Sequence, residues 1–309
     1  MTNLPQPSDD EDEDYEPFYG CCRTLKHLVV RGTPGHIDLF LDNTTTCNLK
    51  TVAVEFLSGA NQQLITDCIE HIAEDALLDH PVLRSLSIKY PYESYYDDEH
   101  ASGNAGANTL RDATLPGVLS PALRIPFLRK VTLDFHTIPV LTDAGLLQMI
   151  DAWPRLTALH IAPPRERYES RVKLSPAVLV AIAQRCPRLA ELTLPEIPLD
   201  AVPPEKNLPV VGQRALRRLR VTFHDRGREH ALYTAALFLD RLFPCLALNP
   251  RFEQEVVEPP GQGQGYFRMS WEHDAREEAR TWRRVEEILY MMQLGRRHRE
   301  ELKNANAAY

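Results

Sequence analysis

His27 and His160 stand in two short apolar phrases, "LKHLVV" and "LTALHI". Alternation along an extended chain would turn both imidazoles to the same side. A histidine so placed could serve as a general base or a metal ligand. Either role needs a companion at matching spacing, and no carboxylate or cysteine recurs beside the two. The eleven histidines are otherwise scattered. Of the six cysteines, Cys21, Cys22, Cys47, Cys68, Cys186 and Cys245, none forms a CxxC pair or has zinc-finger spacing to a histidine. No G-x-S-x-G, HExxH or dinucleotide fingerprint occurs. The run "GQGQG" (261–265) lacks the Lys-Ser/Thr and the helix of a phosphate loop. These patterns predict no catalytic residue, no metal site and no cofactor. The chemistry left to the chain is recognition.

The two histidine-bearing phrases belong to a longer series. The template L-x-x-L-x-L, with Val or Ile allowed later in the phrase, occurs as "LKHLVV" (25–30), "LKTVAV" (49–54), "LRSLSI" (83–88), "LRKVTL" (128–133), "LTALHI" (156–161), "LAELTL" (189–194) and "LRRLRV" (216–221). Successive copies start 24, 34, 45, 28, 33 and 27 residues apart, and a worn eighth begins at Leu246. One strand cannot bury its apolar row alone, but stacked parallel copies make a continuous core. Phe56, Tyr90, Phe135 and Phe223, two positions further on, share the inward parity.

Parallel strands need crossovers, and the intervals supply helical patterns. Residues 61–79 place Leu64, Ile65, Cys68, Ile69, Ile72, Ala76 and Leu77 at helical spacing. Residues 141–153 offer Thr142 or Asp143 as cap, and 174–186 offer Ser175 as cap with Pro176 at the first helical position. Residues 228–243 carry another apolar stripe. The expected fold is α/β: a leucine-rich repeat solenoid, or horseshoe, with parallel concave strands and convex helices over 21–250. A loop insertion is expected at 90–124, centred on the Tyr-, Gly- and Asn-rich stretch 90–117. A C-terminal cap at 251–309 reads as a hairpin (251–272) followed by a long helix (273–303), with Trp282 packing the helix stripe onto the last repeat.

"LTDAGLLQMIDAWPRLTALHI" (141–161) and "LSPAVLVAIAQRCPRLAELTL" (174–194) resemble the cysteine-containing leucine-rich repeats of F-box proteins, especially the large fungal sets. There a Thr-Asp helix start leads into Cys-Pro-x-Leu and the strand. "HPVLRSLSI" (80–88) and "IPFLRKVTL" (125–133) keep the proline and the strand but not the cysteine. The resemblance covers about residues 21–250. It implies a substrate-recognition part of an F-box-type ubiquitin-ligase receptor. The F-box itself is not visible, since "NLP" (3–5) runs straight into acidic residues, so a cullin-ligase adaptor is a partner if such a module lies upstream. The alternative is a repeat scaffold with no ubiquitin-ligase link.

Composition narrows the partner class. With 309 residues and 43% hydrophobic content the chain can bury a sizeable core. The net charge of −8 is concentrated in "DDEDEDYE" (9–16), which carries seven acids, so residues 1–20 read as an acidic disordered leader. Nothing predicts a nucleic-acid partner. No apolar run is long enough for a membrane span and no secretory signal is present. The cysteines are expected to be reduced, and the protein cytoplasmic, nuclear or both. A protein partner is expected on the concave face. There His27, Thr51, Ser85, Lys130, His160, Glu191, Arg218 and Arg220 point outward by strand parity. Lys26, Lys50, Arg84, Arg129 and Arg217, each just after the first leucine of its phrase, would add a basic edge.

Overall fold

The structure, a computed structural model, describes residues 24–44, 48–57, 62–78, 82–90, 110, 113–136, 138–162, 171–198, 201–224, 229–248 and 268–307. All seven phrases become strands of one parallel sheet. They are β1 (His27–Gly32), β2 (Thr51–Phe56), β3 (Ser85–Tyr90), β4 (Lys130–Phe135), β6 (Ala158–Ile161), β8 (Glu191–Pro198) and β9 (Arg218–His224), lying side by side in that order. Two short strands, β5 (Leu141–Thr142) and β7 (Val172–Lys173), pair separately. The leucine, isoleucine and valine rows are in register: Leu28, Val52, Leu86, Val131, Leu159, Leu192 and Leu219 form one, and all seven are buried. Phe56, Tyr90 and Phe135 extend the core, with the Phe56 and Tyr90 rings tilted at 6.3 Å. The side chain of Phe223 lies outside the described residues.

A backbone ladder fixes the stacking. The Lys26 carbonyl accepts both the Lys50 and Thr51 N–H groups, at 2.8 and 3.1 Å. The carbonyls of Lys50, Arg84, Arg129, Thr157 and Ala190 each do the same for the next copy. A carbonyl oxygen has two lone pairs, so both bonds are satisfied at once. The ladder continues past β9, where Ala247 N–H donates to the Arg217 carbonyl at 2.7 Å. The worn eighth copy therefore keeps its register although it forms no strand, and Leu246 is buried.

The helices are α1 (Pro34–Asp42), α2 (Gln62–Leu78), α3 (Leu115–Val118), α4 (Asp143–Ala152), α5 (Pro176–Arg185), α6 (Glu229–Leu242) and α7 (Arg268–Ala307). Neighbours in sequence pack against one another from α1 to α4, and again α4 on α5, α5 on α6 and α6 on α7. Buried residues of α1, α2, α4, α5 and α6 join the strand leucines in one core. On α2, Ile65, Cys68, Ile69 and Ile72 are buried as the spacing predicts, whereas Leu77 at the last turn is exposed.

The structure settles the helix starts and corrects one. Thr142 is the α4 cap, its hydroxyl accepting from Gly145 N–H at 3.2 Å. Ser175 occupies the cap position of α5 but makes no capping bond. Its N–H and hydroxyl both donate to the Asp143 carboxylate, at 2.8 and 2.5 Å, charge-assisted bonds that orient the side chain toward α4. Asp143 thus ties the starts of α4 and α5 together. The helix entrances form a second line of parallel pairing, with β5 on β7 and a bridge between Thr114 and Val140. Gly145 meets α3 there: a Cβ on it would lie 2.9 Å from the Pro116 ring.

Three other expectations change. The insertion at 90–124 is not a loop throughout. Thr114 caps α3, Ala122–Arg124 form a 3-10 turn, and Leu115, Val118, Leu119 and Ala122 are buried. Their apolar side chains fill the wall between α2 and α4, which the Tyr- and Gly-rich neighbourhood concealed. Residues 91–109 lie outside the described residues. The hairpin predicted over 251–272 is helical from Arg268 onward, since Arg, Met and Glu favour helix and the pattern continues into α7. Residues 251–267 lie outside the described residues, as does the leader 1–20. Finally, α1 was missed. Its signals were Pro34 at the first turn and the spacing of buried Ile37 and Leu41.

The turns before the strands show how one substitution is accommodated. In "WPRL" and "CPRL" the leucine N–H returns to the Trp153 and Cys186 carbonyls, at 3.1 Å in each case. Cys186 is buried, as its place in the turn suggests. The last full copy reads "GQRAL", without proline. There the side chain of Gln213 takes over: its Oε1 accepts Leu216 N–H at 2.9 Å, and its Nε2 donates to the Cys186 and Leu189 carbonyls at 3.1 and 3.2 Å.

Candidate functional site

The open face of the sheet is built from the alternate strand residues. Pairing places His27, Thr51, Ser85, Lys130, Ala158, Glu191 and Arg218 in one row across all seven strands. Val29, Ala53, Ser87, Thr132, His160, Thr193 and Arg220 form the next row. Six of the eight residues expected to contact a partner thus share one row, and His160 and Arg220 share the row beside it. Six strand steps separate the ends of a row, roughly 29 Å at the usual spacing.

A third row runs Arg31, Glu55, Lys89, Asp134, so that charge alternates from strand to strand. Arg31 and Glu55 pair at 3.5 Å. Parity alone would have continued this row to Pro195. A register shift between Leu194 and Glu196 breaks the alternation instead. Pro195 turns inward and is buried, and Glu196 stands opposite Thr222. A bulge of this kind re-aims side chains without ending the strand. Ala158, in the row of Lys130 and Glu191, is buried.

The charged residues near the C-terminal end of the face form a network. Glu191 accepts from Arg218 at 3.0 Å and lies 3.4 Å from His160 Nε2. His160 Nδ1 is 3.0 Å from the Thr193 hydroxyl. A hydroxyl, an imidazole and a carboxylate in that sequence are the components of a nucleophile–base relay. Hydrolysis also needs N–H donors aimed at a developing oxyanion. Around Thr193 the backbone is engaged in parallel pairing on both sides. The relay also lies about one-third exposed on an open surface, where water screens it. The arrangement fixes side-chain orientation and presents a mixed charged patch.

Arg220 has a neighbour that the sequence did not reveal. Helix α7 packs on β9 as well as on α6, and Val285 and Leu289 are fully buried, with Trp282 packed against the same core. This places Glu286 near Arg220. Burial pushes the Glu286 carboxyl above its ordinary range, against the lowering pull of a hydrogen bond from Trp282 and of Arg220 and Arg283. The positive charge of Arg218 and Arg220 on β9 is therefore partly offset by α7. The basic edge takes its place along the carbonyl ladder: Lys26, Lys50, Arg129 and Arg217 are exposed, while Arg84 is half-buried.

Among the described residues, no group of three or more His, Cys, Asp or Glu side chains is placed to hold a metal ion. No described helix is long and apolar enough to cross a membrane. Cys68, Cys186 and Cys245 are free thiols. Burial raises the first two well above the usual value near 9.0, to about 12 for Cys68 and about 11 for Cys186, so neither is a nucleophile near neutral pH. No family model matches the chain, and no curated protein matches it.

Proposed function

We propose that the parallel sheet is the inner wall of a leucine-rich repeat solenoid, a horseshoe with its helices on the convex side, and that the protein is a non-enzymatic module gripping a protein partner on its strand face. His27, Thr51, Ser85, Lys130, His160, Glu191, Arg218 and Arg220 are the contact residues. One observation carries this reading: their register aligns them into two adjacent rows about 29 Å long, a size matched to a protein surface rather than to a small ligand. The mixed charges suit orientation and discrimination more than raw affinity.

The partner is a ubiquitin-ligase substrate, and the chain is the substrate-recognition part of an F-box-type receptor. Support for this step is the resemblance carried by residues 141–161 and 174–194. A repeat scaffold without a ligase link is the second reading. Two measurements separate the readings. Lys130→Glu combined with Arg218→Glu is expected to abolish partner capture, while Arg185→Glu on the helix side leaves it intact. Equal capture by both variants refutes the strand-face assignment. Binding of the parent chain to the small cullin-ligase adaptor supports the receptor role, and its failure with the full-length protein supports the scaffold.

A further inference from the structure

A cleft of about 840 Å³ opens between α7, the end of α6 and the eighth-copy remnant at Leu246–Leu248. Five arginines line it, Arg214, Arg217, Arg241, Arg296 and Arg297, against the two carboxylates of Asp240 and Glu300. Three of these arginines are held in place by the fold. Arg296 pairs with Asp240, Arg217 donates to the Cys245 carbonyl at 3.2 Å, and Arg241 donates to the Leu208 carbonyl at 3.3 Å. The side chains of Arg214 and Arg297 have no hydrogen bond or ion pair among the described residues. Gln293 also lines the cleft, is nine-tenths buried, and its Nε2 is shielded with no partner inside the protein.

Buried amides in native folds are almost always hydrogen-bonded, so Gln293 marks a place where the protein alone is incomplete. The guanidinium excess points to what completes it. Guanidinium groups bind phosphate oxygens through paired, charge-assisted hydrogen bonds. Several of them around one space favour a ligand with more than one negative charge. The volume lies in the range of small-molecule sites. We infer that this cleft binds a small phosphate-type polyanion, with Arg214 and Arg297 as the free clamps, Arg217 and Arg296 as prepositioned donors, and Gln293 hydrogen-bonding from the wall. The site lies off the two strand rows, with Arg217 of the basic edge at its border.

The test is calorimetric titration of the full-length protein at physiological ionic strength with pyrophosphate, tripolyphosphate and, as a carboxylate arm, citrate. Pyrophosphate or tripolyphosphate is expected to bind saturably at one site and more tightly than citrate. Arg297→Glu and Arg214→Glu are each expected to weaken binding about tenfold or more, as loss of a charge-assisted pair requires. Gln293→Leu is expected to weaken binding with helix content and melting temperature retained. Arg185→Glu, on α5 and outside the cleft lining, is expected to leave it unchanged. Should a charge reversal unfold the protein, Arg297→Gln makes the same measurement with less disturbance. Non-saturating heats, citrate binding at least as tightly as the phosphates, or affinity indifferent to Arg214, Arg297 and Gln293 would overturn the assignment.

Discussion

Gln213→Leu is the most incisive perturbation of the stacking, because it removes polar atoms while nearly preserving volume. Wild-type Gln213 satisfies three backbone groups: the Cys186 and Leu189 carbonyls and the Leu216 N–H. After the change the Cys186 carbonyl keeps its bond from Leu189 N–H at 3.1 Å. The Leu189 carbonyl and the Leu216 N–H lose the bonds that Gln213 supplied. An unsatisfied buried group costs about 1–3 kcal/mol. Burial of the new apolar side chain offsets roughly 1 kcal/mol of that. The net loss is about 1–5 kcal/mol, a large share of the roughly 5–15 kcal/mol typical of a folded domain. Repeat arrays can open locally, so the sharper readout is hydrogen exchange at the Leu216 amide. About 2 kcal/mol corresponds to roughly thirtyfold faster exchange there, together with a lower urea midpoint. An unchanged midpoint and Leu216 protection within a factor of about three would refute the claim that this side chain stands in for the missing turn.

Leu192→Asp, in a central strand between β6 and β9, places a charge where the leucine is only 1% exposed, and should prevent cooperative folding; a melting curve like the wild type's would contradict the core assignment. Gly145→Ala sets a methyl 2.9 Å from the Pro116 ring, which cannot swing aside, so α3 and α4 must separate at a cost of about 1–3 kcal/mol; a thermal melt equal to or above that of the parent would show that the contact yields freely. Iodoacetamide at pH 8 should spare Cys68 and Cys186 in the folded protein and modify them in urea, as read from their tryptic peptides; rapid native labelling would be inconsistent with their burial. Because both thiols keep their protons to a higher pH in the fold than in the unfolded chain, their contribution to stability is intact below pH 9.0 and declines through about pH 11 for Cys186 and about 12 for Cys68. The double variant Cys68→Ala, Cys186→Ala should flatten that alkaline limb of stability against pH, and an unaltered limb would assign it to other groups.

Some of this molecule could be read from one dimension. Each phrase carries its own strand, since Leu, Val and Ile alternate with polar residues in every copy, and recurrence forces parallel neighbours. The outward parity of His27, Thr51, Ser85, Lys130, Glu191 and Arg218 follows from the same alternation, and the register brings them into one row. Alternation is a property of adjacent residues, so local order suffices to reveal it. The buried stretch at 113–124 spaces Leu115, Val118, Leu119 and Ala122 at i, i+3, i+4 and i+7, but Pro116, Gly117 and Pro121 interrupt that helical signal in the sequence. Each apolar side chain fills a gap between α2 and α4 that exists only once those helices are in place.

Distant pairings needed the folded chain. Pro195 turns inward and Glu196 outward because β8 must match β9 across a bulge. Ser175 gives its hydroxyl to Asp143, a residue 32 positions away, rather than to its own helix. Glu286 meets Arg220, and five arginines share a cleft, only because α7 folds back over α6 and β9. Strand positions and the direction of their side chains are written in neighbouring residues, since steric alternation is local. Tertiary structure alone decided which charges meet, because Coulomb forces and hydrogen bonds depend on distance through space and not along the chain.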